Sequence, residues 1–160
     1  GYNANLIKSV EKVNDAQKLI LVHKIIKRFG NDLSGFTFGV WGLAFKPGTD
    51  DMREAPAIFV IKELVRLGAQ INAYDPKAMI EAKNCYLKGI NQVSYFDSKY
   101  GVLKNADAMI LLTEWKEFRA PDFIEIKRNL KLPIIFDGRN QYNALRPEQK
   151  GFEYYQIGKK

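Results

Sequence analysis

Two cations, Lys46 and Arg53, stand among several acids in the segment GLAFKPGTDDMREAP (residues 42–56). The segment follows the apolar run TFGVWG, which is typical of a buried strand, and it precedes an apolar-periodic stretch that is typical of a helix. A polar loop between a buried strand and the start of a helix is where α/β proteins bind phosphorylated ligands. Lysine offers a compact charge and arginine a planar fork, so both cations are candidate phosphate contacts.

Lys46 and Arg53 also have a simpler interpretation as partners in surface salt bridges. Asp50, Asp51 and Glu54 lie within a few residues of both cations, and exposed ion pairs of this kind contribute little to stability or function. The sequence pattern by itself leaves the phosphate role and the salt-bridge role open.

The elements that must position this loop alternate between strand and helix along the chain. We predict strands at 37–41, 70–75, 93–96, 106–113 and 132–137, with an edge strand at 152–158. Helices are predicted at 56–67, from Pro76 onward, at 98–104 and at 121–130. This alternation implies right-handed crossovers and an α/β fold, with a mostly parallel sheet covered by helices on both faces.

A long helix is predicted before the first strand, from Ala4 to Phe29, with Gly30 ending it. It is about twice the usual helix length of roughly 11–12 residues. Such a helix often connects domains or packs against a partner subunit, although it could also be a long core helix. We therefore divide the chain into a connecting or dimerisation helix, residues 1–30, and an α/β domain, residues 31–160.

Polar residues follow the predicted strands at the edge where ligands bind in such sheets. Arg139 follows the turn Asp137-Gly138, from which its guanidinium could enter a crevice or pair with an acid. Asp75 occupies the place of a ribose-binding acid, but residues 42–56 lack the G-x-G-x-x-G fingerprint. We therefore favour a helix-capping role for Asp75.

Composition and the remaining motifs exclude several classes of protein. The net charge of +7 suits polyanions or nucleotide phosphates, but the basic residues are spread along the chain and no nucleic-acid-binding motif occurs. No apolar stretch is long enough to span a bilayer. The single cysteine, Cys85, permits no internal disulfide and has no nearby base, so we expect a reducing cytoplasm and assign no catalytic residue. No cluster has metal-ligand spacing, so we predict no metal site.

Five segments of the chain carry a family resemblance. In chain order they are VEKVNDAQK, GLAFKPGTDDMREAP, LLTEWKEFR, FDGRNQY and GFEYYQIGK. Together they resemble the C-terminal part of the UDP-glucose/GDP-mannose dehydrogenase family, in family order and over nearly the whole chain. The run TEWKEFR favours the UDP-glucose branch.

The resemblance implies a Rossmann-like domain that binds the UDP-sugar, preceded by part of a central helix that forms a homodimer. It also implies an N-terminal domain that binds most of the NAD cofactor, and oxidation of UDP-glucose to UDP-glucuronate in two NAD-linked steps. UDP-N-acetylmannosamine, GDP-mannose and a non-catalytic dimerisation module are the alternatives. Neither the NAD fingerprint nor the family's cysteine motif occurs here, so we expect a segment of a longer enzyme that is inactive alone.

The resemblance assigns roles to four residues. Phe45 and Lys46 match positions that line the UDP-sugar site, and Arg139 matches an arginine that contacts the substrate. Arg53 matches a position that reaches toward the NAD pyrophosphate.

Overall fold

The computed structural model describes residues 19–159, which contain a six-stranded sheet. Its strands are β1 (Thr37–Trp41), β2 (Gln70–Tyr74), β3 (Val93–Tyr95), β4 (Ala108–Leu111), β5 (Ile134–Asp137) and β6 (Glu153–Gln156). Every neighbouring pair is parallel, and the spatial order is β3-β2-β1-β4-β5-β6. The predicted parallel α/β sheet is therefore confirmed, and so is the edge strand near the C-terminus.

Helices connect the strands. The α-helices are α1 (19–29), α2 (Pro56–Arg66), α3 (Met79–Glu81) and α4 (Phe123–Asn129). A π-helical turn, Ala82–Tyr86, continues α3, and single 3-10 turns lie at Gly101–Leu103, Lys116–Phe118, Asn143–Leu145 and Pro147–Lys150.

Helix α1 packs against the sheet. It ends where the sequence predicts, because Gly30 takes a φ of 94° that terminates the helix; the part of the predicted helix before residue 19 lies outside the described residues. The ring of Phe29 meets that of Phe38 on β1 edge to face, with centroids 5.4 Å apart. The fully buried side chains of α1 are Leu21, Val22 and Ile25.

The opposite face of the sheet is covered by the 3-10 turn Gly101–Leu103. Gly39 alternates with Phe38 along β1 and so faces away from α1. A Cβ atom at Gly39 would lie 2.7 Å from the Leu103 side chain, so this turn approaches the strand more closely than any larger residue would allow. Both faces of the central strands β1, β4 and β5 are thus buried, which explains why these three strands are almost continuously apolar.

The helix predicted from Pro76 begins three residues later than expected. The Asp75 carboxylate accepts hydrogen bonds from the backbone N–H groups of Lys77 (2.9 Å) and Ala78 (2.8 Å). These bonds hold residues 76–78 in a turn, so α3 starts only at Met79. Likewise, only Gly101–Leu103 of the helix predicted at 98–104 is helical.

Candidate functional site

The carboxyl ends of β2, β1, β4 and β5 lie side by side because these strands are neighbours in the sheet. The loop between β1 and α2, residues 42–55, lies at this edge together with the residues that follow the other three strands. The sequence predicts a ligand crevice at this place, where α/β sheets of this order bind their ligands.

Three contacts fix the start of the loop that follows β1. The buried Asp75 carboxylate accepts hydrogen bonds from the N–H groups of Leu43 (2.7 Å) and Ala44 (3.1 Å). The hydroxyl of Thr113, at the end of β4, donates to the Ala44 carbonyl at 2.6 Å. Gly42 takes a φ of 92° and passes so close to Thr113 that a Cβ atom would lie 2.6 Å from the Thr113 nitrogen. The chain is therefore held rigidly up to Ala44.

Asp75 is a structural residue in this arrangement. Its side chain is fully buried, and it accepts from four backbone N–H groups and, at 3.0 Å, from the indole Nε1 of Trp115. Asp75 therefore stabilises the turn before α3 and does not cap the helix as predicted from sequence, because the N-cap of α3 is Ala78 and has no side-chain cap. A carboxylate with both oxygens engaged in this way is not available to a ribose hydroxyl.

Phe45 and Lys46 follow the rigid segment and face solvent. The Phe45 side chain is 46% exposed, a large apolar surface for a residue beside a strand end. Lys46 is exposed, and no carboxylate of residues 19–159 forms an ion pair with it within 4 Å. The structure thus places an aromatic ring at the edge of the sheet together with a cation that has no ion-pair partner within 4 Å among residues 19–159.

Arg139 reaches the same loop from the end of β5. Its Nη2 donates to the Phe45 carbonyl at 2.9 Å, and its Nε lies 2.6 Å from a carboxylate oxygen of Glu114, which follows β4. Arg139 also lines a cavity of about 210 Å³ with Leu21 of α1 and with Pro56, the first residue of α2. The structure therefore brings Arg139 next to Phe45 and Lys46.

The N-terminus of α2 opens beside this cavity. Ala55 precedes the helix and has no side chain that could cap it, and no acid lies in the first turn. The partial positive charge of this helix end is therefore not neutralised by a carboxylate of its own first turn.

Arg53 pairs with a neighbouring acid and forms no hydrogen bond or ion pair with the other three predicted residues among the described contacts. It forms a bidentate ion pair with Asp51, with Nη2 2.8 Å and Nε 3.0 Å from the carboxylate oxygens. The hydrogen bonds from Arg53 lower the pKa of Asp51 to about 2. The salt-bridge interpretation therefore describes Arg53 in this structure, and its contact to NAD remains a prediction.

Sequence reasoning missed the role of Glu114. The sequence places Glu114 after a predicted strand, but nothing in its pattern indicates that its partner is Arg139, 25 positions away. Cys85 lies exposed in the π-helical turn, where partial burial and the neighbouring Glu81 raise the pKa of its thiol. Among residues 19–159 we find no group of three or more metal-ligating side chains and no helix able to cross a membrane.

A parallel sheet in the order β3-β2-β1-β4-β5-β6 defines the class of Rossmann-like nucleotide-binding domains. Within this class, residues 39–144 match the sequence model of the UDP-glucose/GDP-mannose dehydrogenase family, UDP binding domain. The chain belongs to this family, as its five sequence segments predict.

Two similar bacterial proteins are both named UDP-glucose 6-dehydrogenase. The UDP-glucose 6-dehydrogenase of Pseudomonas aeruginosa is 39% identical over 99% of this chain, and TuaD, a UDP-glucose 6-dehydrogenase of Bacillus subtilis, is 38% identical over 99%. The chain spans 36% and 34% of the lengths of these two relatives. It therefore corresponds to about a third of such an enzyme.

Solved structures agree with this assignment. A UDP-glucose dehydrogenase from the archaeon Pyrobaculum islandicum superimposes with a TM-score of 0.74 at 29% identity, covering 92% of this chain and 31% of that one. The NDP-N-acetyl-D-galactosaminuronic acid dehydrogenase of Methanosarcina mazei gives a TM-score of 0.72 at 26% identity, covering 91% and 29%. Enzymes with different sugars thus share this fold.

Proposed function

We propose that this chain is the UDP-sugar-binding part of an NAD-dependent UDP-glucose 6-dehydrogenase, which oxidises UDP-glucose to UDP-glucuronate. Membership of the family supports the reaction class, and the names of the two bacterial relatives favour glucose as the sugar. The M. mazei structure, with its different sugar, keeps other nucleotide sugars as the alternative.

The observation that carries the proposal is the exposed pair Phe45–Lys46 directly after a rigid segment, with Arg139 bonded to the Phe45 carbonyl. Lys46 would bind the diphosphate as a point charge, and the uncapped start of α2 would add backbone N–H groups. Phe45 offers an apolar face to the nucleotide. NAD would be bound mainly by another domain of the complete protein, and Arg53 would reach its pyrophosphate only after leaving Asp51.

Lys46→Ala tests the proposal. A charge-assisted hydrogen bond is worth about 1.5–3 kcal/mol, so we expect this substitution to weaken UDP binding about tenfold or more in titration calorimetry. Lys62→Ala, which removes an exposed lysine from α2, is the matched control and should leave UDP affinity unchanged. Wild-type protein that binds no UDP, or equal affinities for Lys46→Ala and wild type, would contradict the proposed site.

We also propose a homodimer built through the first helix, working in the cytoplasm. The described part of α1 buries Leu21, Val22 and Ile25 against its own sheet, so a dimer contact would have to use other residues of the helix. Sedimentation distinguishes the proposed UDP-sugar-binding function from a non-catalytic dimerisation module. A protein that forms the same dimer with and without UDP, and that has no affinity for UDP, would favour the dimerisation module.

A further inference from the structure

The guanidinium of Arg139 is held between two loops. Its Nε pairs with Glu114 at 2.6 Å, and its Nη2 donates to the Phe45 carbonyl at 2.9 Å. Both atoms of the Glu114 contact are buried, although the two side chains are 38% and 28% exposed overall. Neither of these two atoms has a hydrogen-bond partner, so the contact is a close ion pair and not a charge-assisted hydrogen bond.

Glu114 lies on a segment that cannot easily move. The residue before it, Thr113, donates to the Ala44 carbonyl, and the residue after it, Trp115, donates to the buried Asp75 carboxylate. Its neighbours are thus anchored to the ends of β1 and β2. The Glu114 carboxylate is therefore presented from a fixed backbone position.

Arg139 is also on a fixed backbone. Its own N–H donates to the Asp137 carboxylate at 2.9 Å, and the Gly138 N–H donates to the Leu111 carbonyl of β4 at 2.9 Å. Rigid supports on both sides keep a binding group in one geometry, which lowers the cost of ordering it when a ligand arrives.

The contacts divide the five N–H donors of Arg139 into two sets. Nε and Nη2 form one edge of the planar guanidinium, and that edge faces Glu114 and the Phe45 carbonyl. The end of the fork, formed by Nη1 and the second N–H of Nη2, has no hydrogen-bond partner within residues 19–159. Two such parallel N–H groups match two oxygens of a phosphate or carboxylate.

We propose that Glu114 is a positioning residue, which holds one edge of Arg139 so that the end of the fork remains available to an oxyanion of the nucleotide sugar. The inference rests on the proposed function, because it requires a UDP-sugar at this edge of the sheet. Glu114 itself does not touch the ligand. The two cations then have different roles. Lys46, which has no ion-pair partner within 4 Å among residues 19–159, supplies charge, whereas Arg139, paired with Glu114, supplies direction.

A double-mutant cycle in the complete protein tests this inference by titration calorimetry with UDP and by KM for the nucleotide sugar. We expect Glu114→Gln to weaken UDP binding about three- to tenfold, Arg139→Ala to weaken it at least as much, and the double variant to match Arg139→Ala. Glu114→Asp, which keeps the charge, should recover part of the loss. Glu63→Gln breaks a similar ion pair with Arg66 on α2 and should leave UDP affinity unchanged.

Each other outcome overturns the inference. Unchanged or tighter UDP binding by Glu114→Gln would mean that the carboxylate is idle or competes with the ligand. An equal loss from Glu114→Gln in the Arg139→Ala background would mean that Glu114 acts on its own. If the wild type binds UDP in these cases, the proposed function stands and only the role of Glu114 is overturned. If the wild type does not bind UDP, both the proposed function and this inference are overturned. If Glu114→Gln lowers the melting temperature, all variants are titrated at a temperature at which each is fully folded, so that the cycle still decides.

Discussion

Two buried aspartates organise the ligand edge of the sheet at the scale of single residues. Asp75 follows β2 and joins the loops after β1 and β4, as described above. Asp137, the last residue of β5, accepts from the backbone N–H groups of Arg139 and Tyr142 and from the Tyr154 hydroxyl. Each replaces the hydrogen bonds that a strand loses where it leaves the sheet, so the loops that carry the proposed site are rigid.

Two glycines of the same loop provide a test of that rigidity. Gly42 and Gly48 both have φ near 90°, but only Gly42 is crowded, by Thr113. Both alanine variants suffer backbone strain of about 1–3 kcal/mol, and Gly42→Ala must also displace Thr113. We expect Gly42→Ala to lower the free energy of unfolding by at least about 1 kcal/mol more than Gly48→Ala, measured by chemical denaturation. Equal losses of unfolding free energy in the two variants would show that displacing Thr113 adds no cost to Gly42→Ala.

Helix α1 is an integral part of the domain at the scale of elements. Its buried side chains and the edge-to-face contact of Phe29 with β1 close one face of the sheet. Arg28 adds an ion pair with Glu153 at 2.7 Å, which links the helix to the edge strand β6. The last three turns of the first helix therefore contribute to the core of the α/β domain.

The same substitution on two helices tests how firmly α1 is docked. Ile25 of α1 is fully buried, whereas Ile124 of α4 is 81% exposed. We expect Ile25→Ala to cost about 2–5 kcal/mol of unfolding free energy, because it leaves a cavity. Ile124→Ala, the control, should cost no more than about 0.5 kcal/mol. A small loss for Ile25→Ala would mean that α1 detaches from the sheet in solution.

Partly or fully buried tyrosines limit the stability of the whole molecule at high pH. Burial, and for Tyr74 also the charge of Glu117, raises the pKa of Tyr74 and Tyr95 to about 12. Burial, and next the charge of Asp137, raises the pKa of Tyr142 and Tyr154 still further. A folded-state pKa above the unfolded value of 10.0 means that these groups stabilise the protein fully below pH 10, and that this stability is lost as the pH rises above it.

We therefore expect the free energy of unfolding to fall as the pH rises from 10 to 12, as measured by denaturation at a series of pH values. The Tyr154→Phe side chain cannot ionise, so the free energy of unfolding of this variant should fall less steeply over this range. Its value below pH 10 should be lower than that of the wild type, because the hydrogen bond from Tyr154 to Asp137 is lost. Identical slopes for Tyr154→Phe and wild type would exclude Tyr154 as a source of the alkaline loss.

Local patterns were enough to predict most of the architecture. Continuous apolar runs indicate strands buried on both faces, Pro56 and Gly68 mark the ends of α2, and the run of residues 42–56 indicates the family. These signals depend on neighbours within a few positions, so they can be read without knowing the fold. The candidate ligand-binding residues are likewise predicted without knowledge of the fold, from their places after strands and from the family resemblance. They are Phe45, Lys46 and Arg139.

Only the tertiary structure decided which of these groups meet. Arg139 bonds to Phe45 across 94 positions and pairs with Glu114, because the order of the strands makes β1, β4 and β5 neighbours. Arg53, which has the same charge and a similar place in the sequence pattern, instead pairs with Asp51 two residues away. The physical reason is that an ion pair forms with whichever carboxylate the backbone brings within reach, and periodicity carries no information about contacts between distant loops.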